Sequence, residues 1–209
     1  MTTIHATGTS ELHLRAERAT VSARVSVTSR ARSESIAAAT RLHNWAVQRA
    51  EQLRASGDAT WHAADPISTW TNKSYAAGSK KTVVIEYTTS SRVRIKLSNL
   101  ALVGEFVAEL AEAGLSTDVS WALTEASRRE CERRARKAAV DEARAVAEDY
   151  AEALGERIGT VVSISDSSSG GIQPQARFAS ARASDAGAAE VTVAEITVSA
   201  SVAGRYETA

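Results

Sequence analysis

The chain has little of what cross-links or interrupts a fold. Among its 209 residues there is one cysteine, Cys131, and there are two prolines, Pro66 and Pro174. A single cysteine excludes an internal disulfide and a cysteine-based zinc site. With so few prolines, helices and strands can run long without interruption. A chain of this length buries about 70% of its unfolded surface, so its core requires no metal or disulfide.

The sequence also lacks an excess of charge and any long apolar run. It has 25 basic and 25 acidic residues, whereas general binders of nucleic acids or anionic membranes depend on excess positive charge. No segment approaches the roughly 18 apolar residues of a membrane span. Residues 1–19 do not show the basic start and apolar core of a secretory signal. We therefore expect a cytoplasmic protein that has no membrane span and binds no nucleic acid.

Two segments alternate so regularly that they predict strands. From Ala19 to Thr28 the odd positions are apolar and the even positions are polar. Within Val83–Leu97, one side carries Val83, Ile85, Tyr87, Val93, Ile95 and Leu97, and the other carries Glu86, Thr88, Arg92, Arg94 and Lys96. A period of two with one polar face is typical of an antiparallel sheet. Weaker strands are expected at Ile4–Leu14, Thr60–Ala64, Ile67–Tyr75, Thr117–Leu123 and Thr160–Ser165.

The C-terminal segment Glu190–Tyr206 also alternates, but its phase changes near Ala194 and Glu195. A change of phase moves later side chains to the other face, so the pattern predicts a β-bulge there. Neither the first nor the last strand contains proline. We expect these two strands to form long, unprotected sheet edges that pair with another chain.

Three segments carry apolar residues at helical spacing, and each is followed by a glycine. Glycine adopts the left-handed conformation that ends a helix at little steric cost. The apolar stripes are expected to include Ile36 and His43 on the first helix and Tyr150 and Leu154 on the third. The predicted helices and their glycines are Ser33–Ala55 with Gly57, Asn99–Ala113 with Gly114, and Glu125–Leu154 with Gly155.

The segment from Ser167 to Gly187 is rich in serine, glycine and alanine and predicts a long flexible loop. Only one strand follows it, so no second core is expected after this loop. The order of elements predicts an α+β fold in a single domain over residues 1–209. In that fold a largely antiparallel sheet carries the three helices on one face.

Three parts of the chain resemble the SIMPL family. They are Ile4–Val27, with Gly8 in the first strand and ATVSARVSV in the second; Ala138–Asp166, with the spacing A-x-x-DEAR-x-x-AE-x-x-A-x-x-LG; and the closing strand EVTVAEITVSASVAGRY. The family includes bacterial periplasmic antigens, oxidative-stress proteins and a kinase-binding protein of animals. The resemblance implies an α+β fold, homo-oligomers and a link to stress defence. It implies no enzymatic activity and no cofactor.

Few residues are candidates for chemistry. The four histidines lack metal-ligand spacing, and no nucleophile motif supports a catalytic triad. Cys131 is a candidate for redox sensing, although arginines and glutamates surround it and an inert helix cysteine is the alternative. Arg128–Lys137 is rich in basic residues, and we expect Glu125, Glu130 and Glu132 to pair with the arginines four residues later.

Two hypotheses about function follow. The leading one is a non-enzymatic protein that self-assembles and binds protein partners through sheet edges and loops. The alternative is a small-ligand-binding domain, with a pocket between sheet and helices lined by Trp70, Tyr75 or His43. No catalytic, metal or cofactor site is expected. The candidate residues for a partner or ligand surface are Trp61, Trp70, Tyr75, Arg177 and Phe178.

Overall fold

A computed structural model describes residues 2–75, 83–166, 175–177 and 191–209. The chain divides into two compact units: unit 1 comprises residues 1–16, 122–180 and 193–209, and unit 2 comprises residues 17–121 and 181–192. Each unit contains one sheet and at least one helix. The elements are β1 (Thr3–Arg15), β2 (Arg18–Ser29), α1 (Arg32–Ala55), β3 (Ala59–Ala64), β4 (Ser68–Tyr75), β5 (Val83–Leu97), α2 (Val103–Glu112), β6 (Ser116–Ala122), α3 (Glu125–Ala153), β7 (Ile158–Asp166), β8 (Gln175–Arg177) and β9 (Glu195–Thr208).

The α+β class is confirmed, and the helices and most strands lie where the sequence predicts them. The expectation of a single sheet is wrong, because the strands form two separate sheets. Alternation of polar and apolar residues reports that a strand has one buried face, but it does not report which strand lies beside it. The compact units do not by themselves define folding domains, so the single-domain interpretation stays a prediction.

In unit 1, β9 is the central strand of the sheet. It pairs antiparallel with β1 on one side and with β7 and β8, end to end, on the other. The prediction that the last strand forms an edge is therefore wrong, whereas the first strand does lie at an edge. The predicted bulge is also wrong, since the β1–β9 register is unbroken from Thr3 opposite Glu207 to Arg15 opposite Glu195. The phase changes because β9 begins only at Glu195.

Small residues let α3 lie close to this sheet. The helix buries a line of residues at every fourth position, and nearly all of them are alanine. On β1, a Cβ atom added to Gly8 would lie 2.0 Å from the Ala139 carbonyl oxygen and 2.3 Å from the Ala143 nitrogen. The helix backbone therefore rests directly on the strand backbone. The buried line consists of Cys131, Ala135, Ala139, Ala143, Ala147 and Ala151.

Some residues that the apolar stripes predict to be buried are exposed in the structure. Tyr150 and Leu154 were expected to face the core, but both are more than half exposed, because only the alanine line of α3 meets the sheet. On α1, Ile36 is likewise exposed, and its neighbour Ser35 is fully buried instead. The Ser35 hydroxyl makes that burial possible by donating to the Val27 carbonyl at 2.9 Å and contacting the Thr89 hydroxyl at 2.7 Å.

Unit 2 is built around β5. This strand pairs antiparallel with β2 on one side and with β3 and β4, end to end, on the other, and β6 lies next to β2. Helix α1 packs against β2, β3 and β5. The alternation predicted for β2 and for the second half of β5 is confirmed at the core, which buries Val21, Val25, Val93, Ile95 and Leu97 completely. At the start of β5 it fails to predict burial, since Val83 and Ile85 are exposed.

The predicted helix ends are confirmed. Gly57, Gly114 and Gly155 all have positive φ, at 87°, 85° and 73°. After α3, the Glu156 N–H donates to the Ala151 carbonyl and the Gly155 N–H to the Glu152 carbonyl, both at 2.9 Å. These bonds satisfy carbonyls that the helix leaves without partners.

Candidate functional site

The two faces of the unit 2 sheet differ sharply in character. Because Ser35 of α1 bonds Thr89, the odd residues at this part of β5 face the helix. The preceding residue on the strand, Thr88, points the other way, and its hydroxyl lies 2.8 Å from that of Thr28 on β2. We call the side of the sheet away from α1 the outer face. Most of its side chains are polar or charged.

Two exposed tryptophans belong to the outer face. Trp61 lies opposite Lys96, whose Nζ is 6.0 Å from the centre of the indole ring, and Trp70 lies opposite Thr88. Their exposed fractions are 43% and 46%. Since Lys96 and Thr88 are eight residues apart on β5, the two tryptophans are separated by about 27 Å along the strand. Each can contact a partner, but they do not form a pair.

The structure does not bring together two of the residues proposed for the ligand pocket, His43 and Trp70. His43 lies on the α1 side of the sheet, where its Nδ1 is 2.9 Å from the Ser91 hydroxyl. Trp70 lies on the outer face, so the sheet separates the two side chains. The backbone of Tyr75 closes β4, but its side chain lies outside the described residues. Trp121, by contrast, is buried.

A row of basic residues crosses the outer face. Arg92, Arg94 and Lys96 alternate with buried residues along β5, and Arg24 on β2 lies directly opposite Arg92. Arg94 is paired with Asp65 at 2.8 Å. The polar positions of both strands were visible in the sequence, but only the register between β2 and β5 brings Arg24 and Arg92 together.

In unit 1 the most exposed strand is β7. Every residue of it after Ile158 is exposed, including Val161, Val162 and Ile164 at between 43% and 49%. No strand among the described residues pairs with its outer side. Its register with β9 shifts between Ile158 and Thr160 and again between Val161 and Ser163. The sequence predicts this strand but gives no sign that it lies at an edge.

The second shift puts two apolar side chains on one face. Val161 pairs with Tyr206 and Ile164 with Gly204. Tyr206 packs against Ala147 and Ala151 of α3, and Gly204 has the same parity on β9, so Val161 and Ile164 lie on the α3 side of the sheet. The helix covers β1 and β9 but hardly reaches β7. These two side chains are therefore left uncovered by the helix.

A depression of about 510 Å³ lies beside the end of α3. Glu148, Glu152 and Glu156 line it, together with Arg157 and Ile158. Hydrogen bonds from the Thr208 and Thr2 hydroxyls lower the pKa of the Glu156 carboxyl. Among the described residues no group of three or more acidic, histidine or cysteine side chains is arranged to hold a metal ion.

Cys131 is buried in the line of small residues on α3, with 4% of its surface exposed. A peroxide molecule must reach a thiolate to oxidise it, so this burial favours the inert alternative over redox sensing.

The charged start of α3 is ion-paired, although not in the predicted pattern. Glu125 accepts hydrogen bonds from Arg128 at 2.9 Å and from Arg129 at 2.7 Å. These bonds lower the pKa of Glu125 to about 2, and the bond from Arg128 has the larger effect. Of the three predicted partners, Arg129 is confirmed. The other two are wrong, because Glu130 pairs with Arg133 and Glu132 pairs with Arg128.

The remaining candidates lie in the predicted loop over 167–187. Within it Gln175–Arg177 form β8, a strand that the sequence analysis does not predict. The side chain of Arg177 and the whole of Phe178 lie outside the described residues, as does the rest of this loop. In the parts of the chain that the structure describes, none of the helices is long and apolar enough to cross a membrane.

The described residues thus define an α+β protein with two antiparallel sheets, a polar outer face and an apolar edge strand. The chain belongs to the SIMPL family, described as proteins of unknown function (DUF541), whose model matches residues 4–206. The predicted resemblance is therefore confirmed over nearly the whole chain.

The other comparisons add little. A search of the curated proteins finds no match. Among solved structures, the chain is similar to a putative amidohydrolase/peptidase from Burkholderia cenocepacia, with 14% identity and a TM-score of 0.25. The match covers 63% of this chain and 33% of that one, so the chain spans about a third of that protein. A likeness this weak carries no argument about fold or function.

Proposed function

We propose that this protein is a non-enzymatic assembly protein, and that a second copy of the chain covers strand β7 of unit 1. The observation that supports this proposal most directly is the exposure of Val161, Val162 and Ile164 on an edge strand. Sheet edges in proteins that stay monomeric are usually protected by proline, lysine or an inward-pointing charge. Residues 158–166 contain neither proline nor lysine, and their only charged residue is Asp166.

The shape of β7 decides what kind of contact we propose. Its two register shifts leave Ser163–Asp166 as the regular part of the strand, which is too short for a long ladder of hydrogen bonds. The apolar side chains of Val161 and Ile164 would then supply most of the contact, since burying them removes apolar surface from water. A two-fold arrangement, in which β7 of one copy meets β7 of the other, satisfies both copies at once.

The test is the mass of the protein in solution. We expect the wild type to form dimers or larger assemblies at 1–100 µM in sedimentation velocity or light scattering. A variant with Val161→Lys and Ile164→Lys places two charges in the proposed contact and should weaken association by about 100-fold or more. Its circular dichroism should not change, because both positions are exposed in the single chain.

A matched control uses the opposite edge of the same sheet. Thr7 and Thr9 are exposed on β1, so Thr7→Lys with Thr9→Lys adds the same charge elsewhere on the unit 1 sheet. This control should assemble like the wild type. A wild type that is monomeric at 100 µM, or a control that dissociates as readily as the β7 variant, would rule out the proposal.

A role in stress defence and a cytoplasmic location are part of the same proposal, and they rest on the family resemblance and on the sequence. We expect a strain without the gene to survive peroxide less well than its parent. Restoring the wild-type chain should rescue survival, whereas the β7 double variant should not. Equal survival of all four strains would contradict a role in stress defence and would leave the proposed assembly untouched.

A further inference from the structure

The arginine pair on the outer face of unit 2 has an unusual arrangement. Arg24 on β2 and Arg92 on β5 occupy directly opposite positions in an antiparallel ladder. Side chains at such positions have Cβ atoms about 5 Å apart, and like charges there are destabilising. A sheet therefore rarely gains stability from two arginines in this arrangement unless something negative lies between them.

No group of the described residues supplies that negative charge. In the parts of the chain that the structure describes, the guanidinium groups of Arg24 and Arg92 have no carboxylate within 4 Å and no hydrogen-bond partner. Arg94, two residues along the same strand, is bound to Asp65 at 2.8 Å. On the outer face, Asp65 thus neutralises Arg94, whereas Arg24 and Arg92 lie opposite each other without a carboxylate of their own.

The surface beside the pair has room for a ligand. One depression of about 310 Å³ is lined by both arginines with Ser22, Ser116, Thr117 and Asp118. A second, of about 320 Å³, is lined by both arginines with Asp65, Ser68 and Ser90 among others. Because the two depressions share Arg24 and Arg92, the guanidinium groups stand between them, with hydroxyl groups on either side.

We propose that Arg24 and Arg92 together bind the phosphate or carboxylate group of a small molecule on the outer face of unit 2. Guanidinium groups donate two parallel hydrogen bonds to such oxyanions, and serine hydroxyls add further donors. Asp118 lines one depression and Asp65 lines the other, and their carboxylates disfavour a polymer that is anionic along its length. They accept hydrogen bonds from hydroxyl groups, which favours a small molecule with one anionic group.

The first test uses thermal unfolding with inorganic phosphate, acetate and glycerol 3-phosphate at constant ionic strength, with chloride as the reference. We expect phosphate or acetate to raise the Tm of the wild type, by about 3–6 °C at ten times its dissociation constant. The phosphate and acetate arms distinguish the two oxyanions. A larger effect of glycerol 3-phosphate than of phosphate would locate additional contacts in the flanking depressions.

The variants make the test specific. Arg24→Gln and Arg92→Gln should each abolish the shift and should raise the Tm without ligand by about 1–3 °C, because the like-charge repulsion is gone. Arg41→Gln, at an exposed position of α1, is the matched control and should respond to the anions like the wild type.

Two results would overturn the proposal. One is an anion response that is absent in the wild type or equal in the wild type and both glutamine variants. The other is binding of a single-stranded oligonucleotide that is tighter than that of all three small anions and is weakened by Arg92→Gln, since it would make the surface a polymer site. Neither result depends on the association of the chains through β7.

Discussion

Gly8 is the residue on which the packing of unit 1 depends most directly. A Cβ atom at this position would lie 2.0 Å from the Ala139 carbonyl oxygen and 2.3 Å from the Ala143 nitrogen. Both are backbone atoms of a helix, so neither can move aside as the end of a flexible side chain would. The helix as a whole would have to lift off the sheet, exposing its buried line of alanines.

We therefore expect Gly8→Ala to lower the free energy of unfolding by about 3 kcal/mol or more, at or above the upper end of overpacking effects. Urea denaturation followed by circular dichroism measures the change. Thr9→Ala, one residue along and exposed, is the control and should stay within about 0.5 kcal/mol of the wild type. Equal stability of Gly8→Ala and Thr9→Ala would contradict the close approach of helix and strand.

Glu125 makes a second prediction, which concerns pH. Its bonds to Arg128 and Arg129 lower its pKa from 4.5 to about 2 in the folded chain. A carboxylate with a lowered pKa stabilises the fold fully above its unfolded pKa and loses that effect as the pH falls through its folded pKa. The contribution of Glu125 is therefore complete above about pH 5 and declines steadily below that value.

Glu125→Gln, which cannot ionise, should reveal this dependence. The urea midpoint of the wild type should exceed that of the variant at pH 7, and the difference should shrink at pH 4 and again at pH 3. Glu34, an acidic residue in the first turn of α1 that bonds a hydroxyl instead of an arginine, gives the matched variant Glu34→Gln. If the difference in urea midpoint between the wild type and Glu125→Gln does not change between pH 7 and pH 3, the ion pairs of Glu125 do not stabilise the fold.

The sequence could identify individual candidates but not their neighbours. Trp61 and Trp70 are surface candidates in the sequence, and the polar side of β2 and β5 is evident from alternation. That Arg24 meets Arg92 depends on a register between segments 68 residues apart, which no local pattern encodes. Ser35 and Ile36 exchange their expected places because a hydrogen bond, and not hydrophobicity alone, selects the buried residue.

At the scale of single elements, the helix ends are the best-determined features. The glycine after α3 has a φ of 73°, a conformation that residues with a Cβ atom adopt at a cost. We expect Gly155→Ala to lower the free energy of unfolding by about 1 kcal/mol, and Gly155→Asn to cost less, because asparagine tolerates this conformation better. Thermal or urea unfolding of the wild type and the two variants measures their relative stability. A Gly155→Ala variant that is as stable as Gly155→Asn, or more stable, would contradict this prediction.

The sequence could not predict the neighbours of each strand. Helix bounds followed from periodicity and from three glycines, and strand bounds followed from alternation, because both signals are local. The place of β9 in the middle of a sheet is set by partners at the opposite end of the chain. The even positions of β9 are apolar and buried, and this pattern is the same whether the strand has one neighbour or two. The sequence therefore does not distinguish an edge strand from a central strand.

At the scale of the whole molecule, both units repeat one layout. In unit 2 the chain runs through β2, α1, the end-to-end strands β3 and β4, and the central strand β5. In unit 1 it runs through β1, α3, the end-to-end strands β7 and β8, and the central strand β9. In each unit the helix packs against the first and the central strand. Unit 2 adds α2 and β6 to this layout, and most of it is inserted in the sequence between β1 and α3.

This difference predicts unequal behaviour of fragments. Residues 17–121 contain the described strand pairings of β2, β3, β4 and β5 and should fold alone, with a cooperative urea transition measured by circular dichroism. Residues 1–194 lack β9, with which β1, β7 and β8 all pair, and should retain only the unit 2 transition. A fragment 17–121 without cooperative unfolding would show that the chain folds as a single domain.

The pairing of β1 with β9 also governs events during synthesis. The first strand leaves the ribosome about 180 residues before its partner exists, and at 5–20 residues per second this interval lasts roughly 10–40 s. During that time a thirteen-residue strand waits with no partner, while the segment between β1 and α3 can already fold. The nascent chain is therefore most exposed to wrong associations at β1, and a chaperone that binds extended segments would find its substrate there.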